Sequence, residues 1–513
     1  MIYSRMKSYI QRFSLVVSLF GTHFLEDPND LFVKISQKLR ALGMPVLSLR
    51  LPTPSQHGED LYEQGQLKLS ADAFEQSGFF GKTRAQKIRR QLAELDLPIL
   101  KSKPLEGGRN AKNVLFYLTN SKPFTQSGYT ERSHFVLKSL QEHGVNVRAV
   151  TRLGYPVVIG EFPIKSSLSL NGIEYRQMLP ALFPRNKEQQ IELAVKMLVK
   201  EARRFDAGIL HTTTDFKNAI VVSRAAHILG IPWVYETRGE LQKTWLSKRS
   251  SGLQRIAKDS EYYVAAESKE LEAMQSASAL IQLSDVSKRS AVSQGIEEDK
   301  IRIIPNAVSS SEIGRKFNKA EIRRELGLSE NKVIVGSITS VVQYEGLDDL
   351  IRAIELLPDF HCIIVGEGES KLGLEALVDE LGLGKQVQFV GKQPATTIWK
   401  WYAALDVFVI PRKNQEVCRT VTPIKTLMAQ ANGVPVVASD LPALREVTGN
   451  YATYFPAENP TELARNLRNV IDSNPTAIKQ RADQAREWVR SRTWDSNAEK
   501  LISLYGLEEN DSK

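Results

Sequence analysis

Residues able to do chemistry concentrate in the stretch Leu405–Glu446. An apolar run, Asp406-Val-Phe-Val-Ile-Pro-Arg412, leads into a polar loop, then Val421-Thr-Pro-Ile-Lys425, then Asn432-Gly-Val-Pro-Val-Val-Ala-Ser-Asp440. Strand, loop, short helix, Gly and a second buried strand is the unit from which an open parallel sheet builds a ligand crevice at the carboxyl ends of its strands. Arg412 and Lys425 stand at its turns and are expected to project from the rim of the cleft. Earlier in the chain Ser127-Gly128 precedes a helical run, and a Gly there lets backbone N–H groups approach a phosphate closely. His211 closes the run Gly208-Ile-Leu-His211 ahead of three Thr, which places it at the mouth of a cleft.

The elements that hold these residues form two alternating series. The first runs from strand Val114–Leu118 and helix Glu131–His143 through strands Val145–Thr151, Gly208–His211, Pro232–Glu236, Leu280–Leu283 and Ile301–Ile304, with helices between. The second has strands Lys332–Ile338, His361–Val365, Val387–Val390, Val407–Ile410 and Pro435–Ala438. Strands alternating with helices specify parallel, doubly wound α/β sheets. Two such domains with a cleft between them are expected, and small-molecule sites form preferentially in clefts of that kind. The tail Gln480–Tyr505, with Trp488, Trp494, Leu501 and Leu504 near helical spacing, is expected to cross back to the first domain.

Ahead of both series, residues 1–110 read as a strand–helix–strand unit (Ser14–Phe20, Leu31–Leu42, Pro45–Leu51) and polar helices, closing on the linker Lys103-Pro-Leu-Glu-Gly-Gly-Arg109. This block holds 16 Lys and Arg against 11 Asp and Glu, so it carries 5 of the chain's net +9. Lys82, Arg84, Lys87, Arg89 and Arg90 share a helix, a pattern that suits an anionic membrane surface or a solvated face. Nucleic acid is excluded as a partner, since no aromatic-studded basic sheet or zinc spacing accompanies the charge.

At 513 residues the chain exceeds what one core serves, and its 42% hydrophobic and 25% charged composition is that of an ordinary globular protein. No run reaches the roughly 18 apolar residues of a membrane-spanning helix. Phe13–Leu25, with Arg5, Lys7 and Arg12 ahead of it, imitates a secretory signal but lacks a small-x-small cleavage site and is read as a buried strand. Two cysteines, one of them inside the strand His361–Val365, point to a reducing compartment and a cytoplasmic protein, with attachment to the inner membrane face as the role of the basic block.

Seven segments in order carry a family resemblance: Gly128-Tyr-Thr-Glu-Arg-Ser-His134, Val150-Thr-Arg-Leu-Gly-Tyr-Pro156, Tyr235-Glu-Thr-Arg-Gly239, Ile304-Pro-Asn-Ala-Val308, Tyr344-Glu-Gly-Leu-Asp348, Val421-Thr-Pro-Ile-Lys425 and Val436-Val-Ala-Ser-Asp440. From about Ala111 to Tyr505 the chain resembles the bacterial family 4 retaining glycosyltransferases of the GT-B fold. The resemblance implies transfer of a sugar from a UDP- or GDP-sugar to a glycan or lipid-linked acceptor, without a bound metal or a cofactor. It implies that Ser127, Gly128, Arg412 and Lys425 grip the diphosphate and that Gly391, Thr422 and Met428 line the nucleotide. Arg238 and His211 would be catalytic, and Arg152, Tyr155 and His134 would contact the acceptor. The implied division is 1–110 as an added domain, 111–310 for the acceptor, 311–480 for the nucleotide sugar, and 481–513 as the returning helix.

The chain departs from the family's pattern in three places. Ser340 and Glu345 occupy the positions where most members carry an Arg and a Lys, and a subgroup with Tyr-Glu-Gly-Leu shares this change. Arg238 replaces a His. Met428 stands where a Glu normally accepts hydrogen bonds from the ribose, with Thr420 at the partner position and Glu416 the nearest other carboxylate. A thioether is a poor acceptor for two hydroxyls. This last change admits a second class of function, a non-catalytic glycosyltransferase-like subunit. Nucleotide-sugar epimerases share the layout but not these motifs.

Overall fold

The computed structural model describes residues 14–21, 28–41, 53–105, 110–163 and 165–507. They form two compact units, one reaching to Leu280 and rejoined by Tyr505, the other spanning Ile281–Leu504.

The first unit is built on a sheet of eight strands: β1 (Asn113–Leu118), β2 (Asn146–Thr151), β3 (Ser167–Leu170), β4 (Ile173–Gln177), β5 (Ile209–Thr213), β6 (Trp233–Glu236), β7 (Ala279–Gln282) and β8 (Ile301–Ile303). Their order is β3-β4-β2-β1-β5-β6-β7-β8. Pairing is parallel between β4 and β2, β2 and β1, β1 and β5, and β5 and β6. Val114, Leu115, Phe116, Tyr117 and Leu118 are all buried, as expected of a central strand covered on both faces. Packing divides the chain after Leu280, whereas the eight-stranded sheet runs on to β8.

The antiparallel hairpin β3–β4 was not anticipated, although its signal is present. Asn171 and Gly172 have φ of 51° and 84° between the paired Leu170 and Ile173, the two-residue turn for which Asn-Gly is the preferred sequence.

The helical block ahead of this sheet is a small addition to the two α/β units and is packed into the first of them. Residues 14–21 are helical, not the buried strand expected for Ser14–Phe20. Short apolar runs do not distinguish the two by period, and here Ser18 Oγ donates to Leu15 O one turn back, at 2.9 Å. The expected helix Leu31–Leu42 is found as Pro28–Ala41, while the expected strand Pro45–Leu51 lies outside the described residues, as do residues 106–109 of the linker.

Helices Leu67–Glu75 and Gly78–Asp96 close on Leu67, Ala71, Phe74, Ala85 and Ile88. The block is tied down by Lys68–Glu261 (2.8 Å), by Arg249 Nε donating to Glu63 O (3.2 Å) and by Ile99 N donating to Glu272 Oε1 (2.8 Å). Much of its basic face is engaged within the protein. Arg84 pairs with Glu59, Arg89 with Glu75 and Asp72, and Arg90 donates to Arg185 O.

The second unit carries a fully parallel sheet of β9 (Val333–Ile338), β10 (Phe360–Val365), β11 (Val387–Gly391), β12 (Val407–Ile410), β13 (Val436–Ser439) and β14 (Thr453–Phe455), ordered β11-β10-β9-β12-β13-β14. The strand order reverses between β9 and β12, the point at which doubly wound sheets open a crevice. Strand β12 shows the two-sided core. Phe408 and Ile410 pack with Leu427, Ala438 and Val489, while Val407 and Val409 pack with Leu350, Ile354 and Leu467 on the other face.

Among the described residues, no helix is long and apolar enough to cross a membrane, and no group of three or more His, Cys, Asp or Glu is placed to hold a metal ion. Both cysteines are free and buried.

Phe408 is fully buried at the middle of β12. Phe408→Ala is expected to cost about 3–5 kcal/mol through lost transfer energy and a residual cavity, read as a lower urea midpoint for the second unit.

Candidate functional site

Each unit places a buried carboxylate between two cations at the carboxyl edge of its sheet. In the first unit the carboxylate is Glu236, the last residue of β6. Arg132 donates from Nε to its Oε1 at 2.6 Å, and Arg238 donates from Nη2 to its Oε2 at 2.6 Å. Burial pushes the Glu236 pKa up, but Arg132 and Arg238 outweigh it and hold the carboxyl well below its usual range. Arg238 also donates from Nη1 to Ser133 Oγ (2.6 Å) and Tyr129 O (2.9 Å).

These contacts seat the cluster beneath the first turns of helix Gly128–Glu142. Ser127 caps that helix in a reciprocal box with Thr130, so its hydroxyl is committed to the helix. The space where a Gly128 Cβ would project is open. The two guanidiniums and their carboxylate lie under a helix N-terminus, where an anion is favoured.

His211 is not at a strand end, and this corrects the expectation of a cleft-facing ring. Strand β5 continues to Thr213, so His211 lies mid-strand in register with Phe116, fully buried and stacked on it at 4.3 Å. Its Nδ1 shares a proton with Tyr505 Oη at 2.6 Å, and its Nε2 lies 3.5 Å from Glu236 Oε2. Burial lowers its pKa, which favours the neutral ring in the core.

Two of the three expected acceptor contacts are also interior. His134 faces the hairpin, with Nδ1 at 2.8 Å from Tyr175 Oη and Nε2 at 3.2 Å from Asn171 Nδ2, and burial brings its pKa to about 4. Tyr155 is fully buried, and its hydroxyl donates to Ser121 O (2.6 Å) and meets Thr125 Oγ1 (2.9 Å), holding the loop after β1. The third, Arg152, is partly exposed and reaches Asn120 Oδ1 at 3.2 Å.

In the second unit the carboxylate is Glu345, whose part as a counter-ion was not foreseen. Arg412, at the end of the loop-forming run after β12, donates from Nη2 to Glu345 Oε1 (2.9 Å), from Nε to Oε2 (3.3 Å) and from Nη1 to Val421 O (2.9 Å). Lys425 Nζ donates to Thr339 Oγ1 and lies 3.7 Å from Glu345 Oε1. Burial pushes the Glu345 pKa up, and Arg412 and then Lys425 outweigh it, leaving the group at about 2.

Arg412 therefore does not project from a rim as expected. Its side chain is 7% exposed and that of Glu345 is 3% exposed, whereas that of Lys425 is 26% exposed. Gly346 makes the pairing possible. It has a φ of +69°, and a Cβ there would lie 1.9 Å from Pro411 O, so the loops after β9 and β12 can close only over a glycine.

The remaining nucleotide candidates surround this cluster or the next strand. Thr422 is buried with its carbonyl accepting from Asn306 Nδ2 (2.8 Å) and its hydroxyl without a partner among the described residues. Met428, on helix Lys425–Ala431, packs against the apolar cluster of Leu427 and Phe408. Gly391 ends β11 with a φ of +76°, where a Cβ would meet Glu367 Oε1 at 3.0 Å.

Glu270 is a further buried acid beside the first cluster, accepting from Tyr235 Oη (2.6 Å) and Phe216 N (3.0 Å). Burial raises its pKa to about 8. A carboxyl raised in the folded state favours folding below its unfolded pKa and loses that contribution as pH rises through the folded value. Stability is thus expected to fall between about pH 4.5 and 8, and Glu270→Gln to flatten that slope in urea titrations. At the first cluster, Glu236→Gln leaves two buried guanidiniums without a counter-charge. A loss of about 3–5 kcal/mol in unfolding free energy is expected.

Residues 127–307 match the Glycosyl transferase 4-like domain and residues 318–488 match the family Glycosyl transferases group 1. The lipopolysaccharide core biosynthesis mannosyltransferase LpsB of Rhizobium meliloti is 34% identical over 161 residues, covering 28% of this chain and 44% of that protein. The chain spans about half the length of the curated relatives it matches. Among solved structures, sucrose-phosphate synthase from Thermosynechococcus elongatus superposes with a TM-score of 0.62 at 16% identity, covering 77% of this chain and 98% of its own. Anabaena HepE in complex with UDP-glucose gives 0.59 at 19%, covering 76% and 99%. The chain therefore has the GT-B fold, with a Glycosyl transferase 4-like region followed by a Glycosyl transferases group 1 region.

Proposed function

We propose that the chain is a retaining glycosyltransferase that moves a sugar from a nucleotide diphosphate sugar, a UDP- or GDP-sugar, to a glycan or lipid-linked acceptor in bacterial surface polysaccharide synthesis. The observation that carries the reading is the Arg412–Glu345–Lys425 cluster at the strand-order reversal of the second sheet, inside the region that matches Glycosyl transferases group 1. A nucleoside diphosphate gains negative charge as it leaves, and a fixed cation where that charge develops lowers the barrier. Lys425 is the partly exposed cation of that cluster. The first cluster beneath Ser127 and Gly128 offers a second anion-attracting surface. The reading uses neither a metal nor a cofactor, and it is in keeping with the names of LpsB and of the HepE complex.

Met428 favours a second reading, a glycosyltransferase-like subunit without catalysis, because its side chain is engaged with the apolar cluster and offers the ribose no acceptor. A thermal-shift screen against UDP-, GDP-, CDP- and ADP-sugars separates the two. Under the enzymatic reading one donor stabilises the protein, by about 2.7 kcal/mol at a hundred times its Kd. Under the subunit reading none does. For the binding donor, Met428→Glu is expected to tighten binding in calorimetry, since a carboxylate accepts from both ribose hydroxyls. Weaker binding would place the ribose away from this helix.

A further inference from the structure

The three charged groups of the second cluster are unequal. Arg412 has spent Nε and Nη2 on the two oxygens of Glu345 and Nη1 on Val421 O. Its two remaining N–H groups are enclosed with a side chain that is only 7% exposed, and turning them outward would release a carboxylate that is 3% exposed, stranding a buried charge. Backbone movement offers no easier route, because the loop after β9 closes on Pro411 O at Gly346 and Lys413 N donates to Tyr344 O at 3.0 Å across the same two loops. Among the described residues Lys425 has only Thr339 Oγ1 and a 3.7 Å approach to Glu345, and a quarter of its side chain is open.

We propose that Arg412 is a positioning residue that touches no phosphate: it neutralises and aligns Glu345, and Glu345 in turn holds Lys425 as the cation that meets the donor diphosphate. The proposal rests on the reading of this cluster as the donor site and assigns its parts differently from a two-cation grip. Arg412 is then the group that keeps an acid tolerable there. The charged and titratable groups around the cluster are Tyr344 and Cys418 near Arg412, and Glu345 and Arg412 near Lys425.

The test is a charge-balanced cycle on the full chain, with binding of inorganic pyrophosphate and of UDP read by calorimetry. Lys425→Met is expected to weaken both by about tenfold or more, the loss of a charge-assisted contact. Arg412→Met should weaken them comparably, because the unpaired Glu345 then captures Lys425. The double variant Arg412→Met/Glu345→Gln should return to within about threefold of wild type, the signature of two residues acting as a unit.

A double variant as weak as Arg412→Met overturns the proposal and returns Arg412 to the ligand. An unaffected Lys425→Met overturns the donor-site reading itself, and the proposal with it. Should Arg412→Met fail to fold, the double variant, which strands neither buried charge, still decides: binding within about threefold of wild type supports the positioning role, and a loss of about tenfold or more refutes it.

Discussion

A carboxylate taken out of water stays charged only if cations come with it. Glu236 between Arg132 and Arg238, and Glu345 between Arg412 and Lys425, meet that condition at the carboxyl edge of each sheet. Each acid draws at least one of its cations from a segment far away in sequence. A removed partner leaves an unsolvated charge rather than a missing contact, which is why such clusters tie loop geometry to electrostatics so tightly. The sheets supply the rigid edge, and the buried acids decide how the loops above that edge close.

The consequences differ between the units. In the first, the cluster is sealed by His211, Tyr505 and the turns of helix Gly128–Glu142, so its charge acts through the helix rather than by contact. In the second, Lys425 keeps part of its surface, and the cluster presents one cation outward. That contrast arises from side-chain reach. A guanidinium that spans a carboxylate and a backbone carbonyl at once is drawn in between the loops, whereas the ammonium, 3.7 Å from its acid, stays partly open.

Much of the architecture was legible because both series of strands are near-continuous apolar runs, buried on two faces, separated by amphipathic helices. The Asn171-Gly172 hairpin was equally legible and was overlooked, since attention to parallel alternation hid an antiparallel turn. The helix at residues 14–21 was not legible, as a run of that length has no period that separates helix from strand. Among the site residues, Arg412 and Lys425 do come together, but the acid that unites them is 67 residues from Arg412 and invisible to spacing. His134, Tyr155 and His211 failed as surface groups for one shared reason. A polar side chain beside a strand end looks available in sequence, and only the packing reveals a buried partner such as Tyr175, Ser121 or Tyr505.

Tyr505 has a temporal meaning. It belongs to the first unit, yet the whole of the second unit, Ile281–Leu504, is encoded between it and the residues up to Leu280. On a ribosome the strands around His211 emerge long before the hydroxyl that completes their hydrogen bonding. Domains usually mature in the order of synthesis. Here the earlier one is left with an unfinished core until the later one has been made, so the second unit is folding while the first still waits for its last residue.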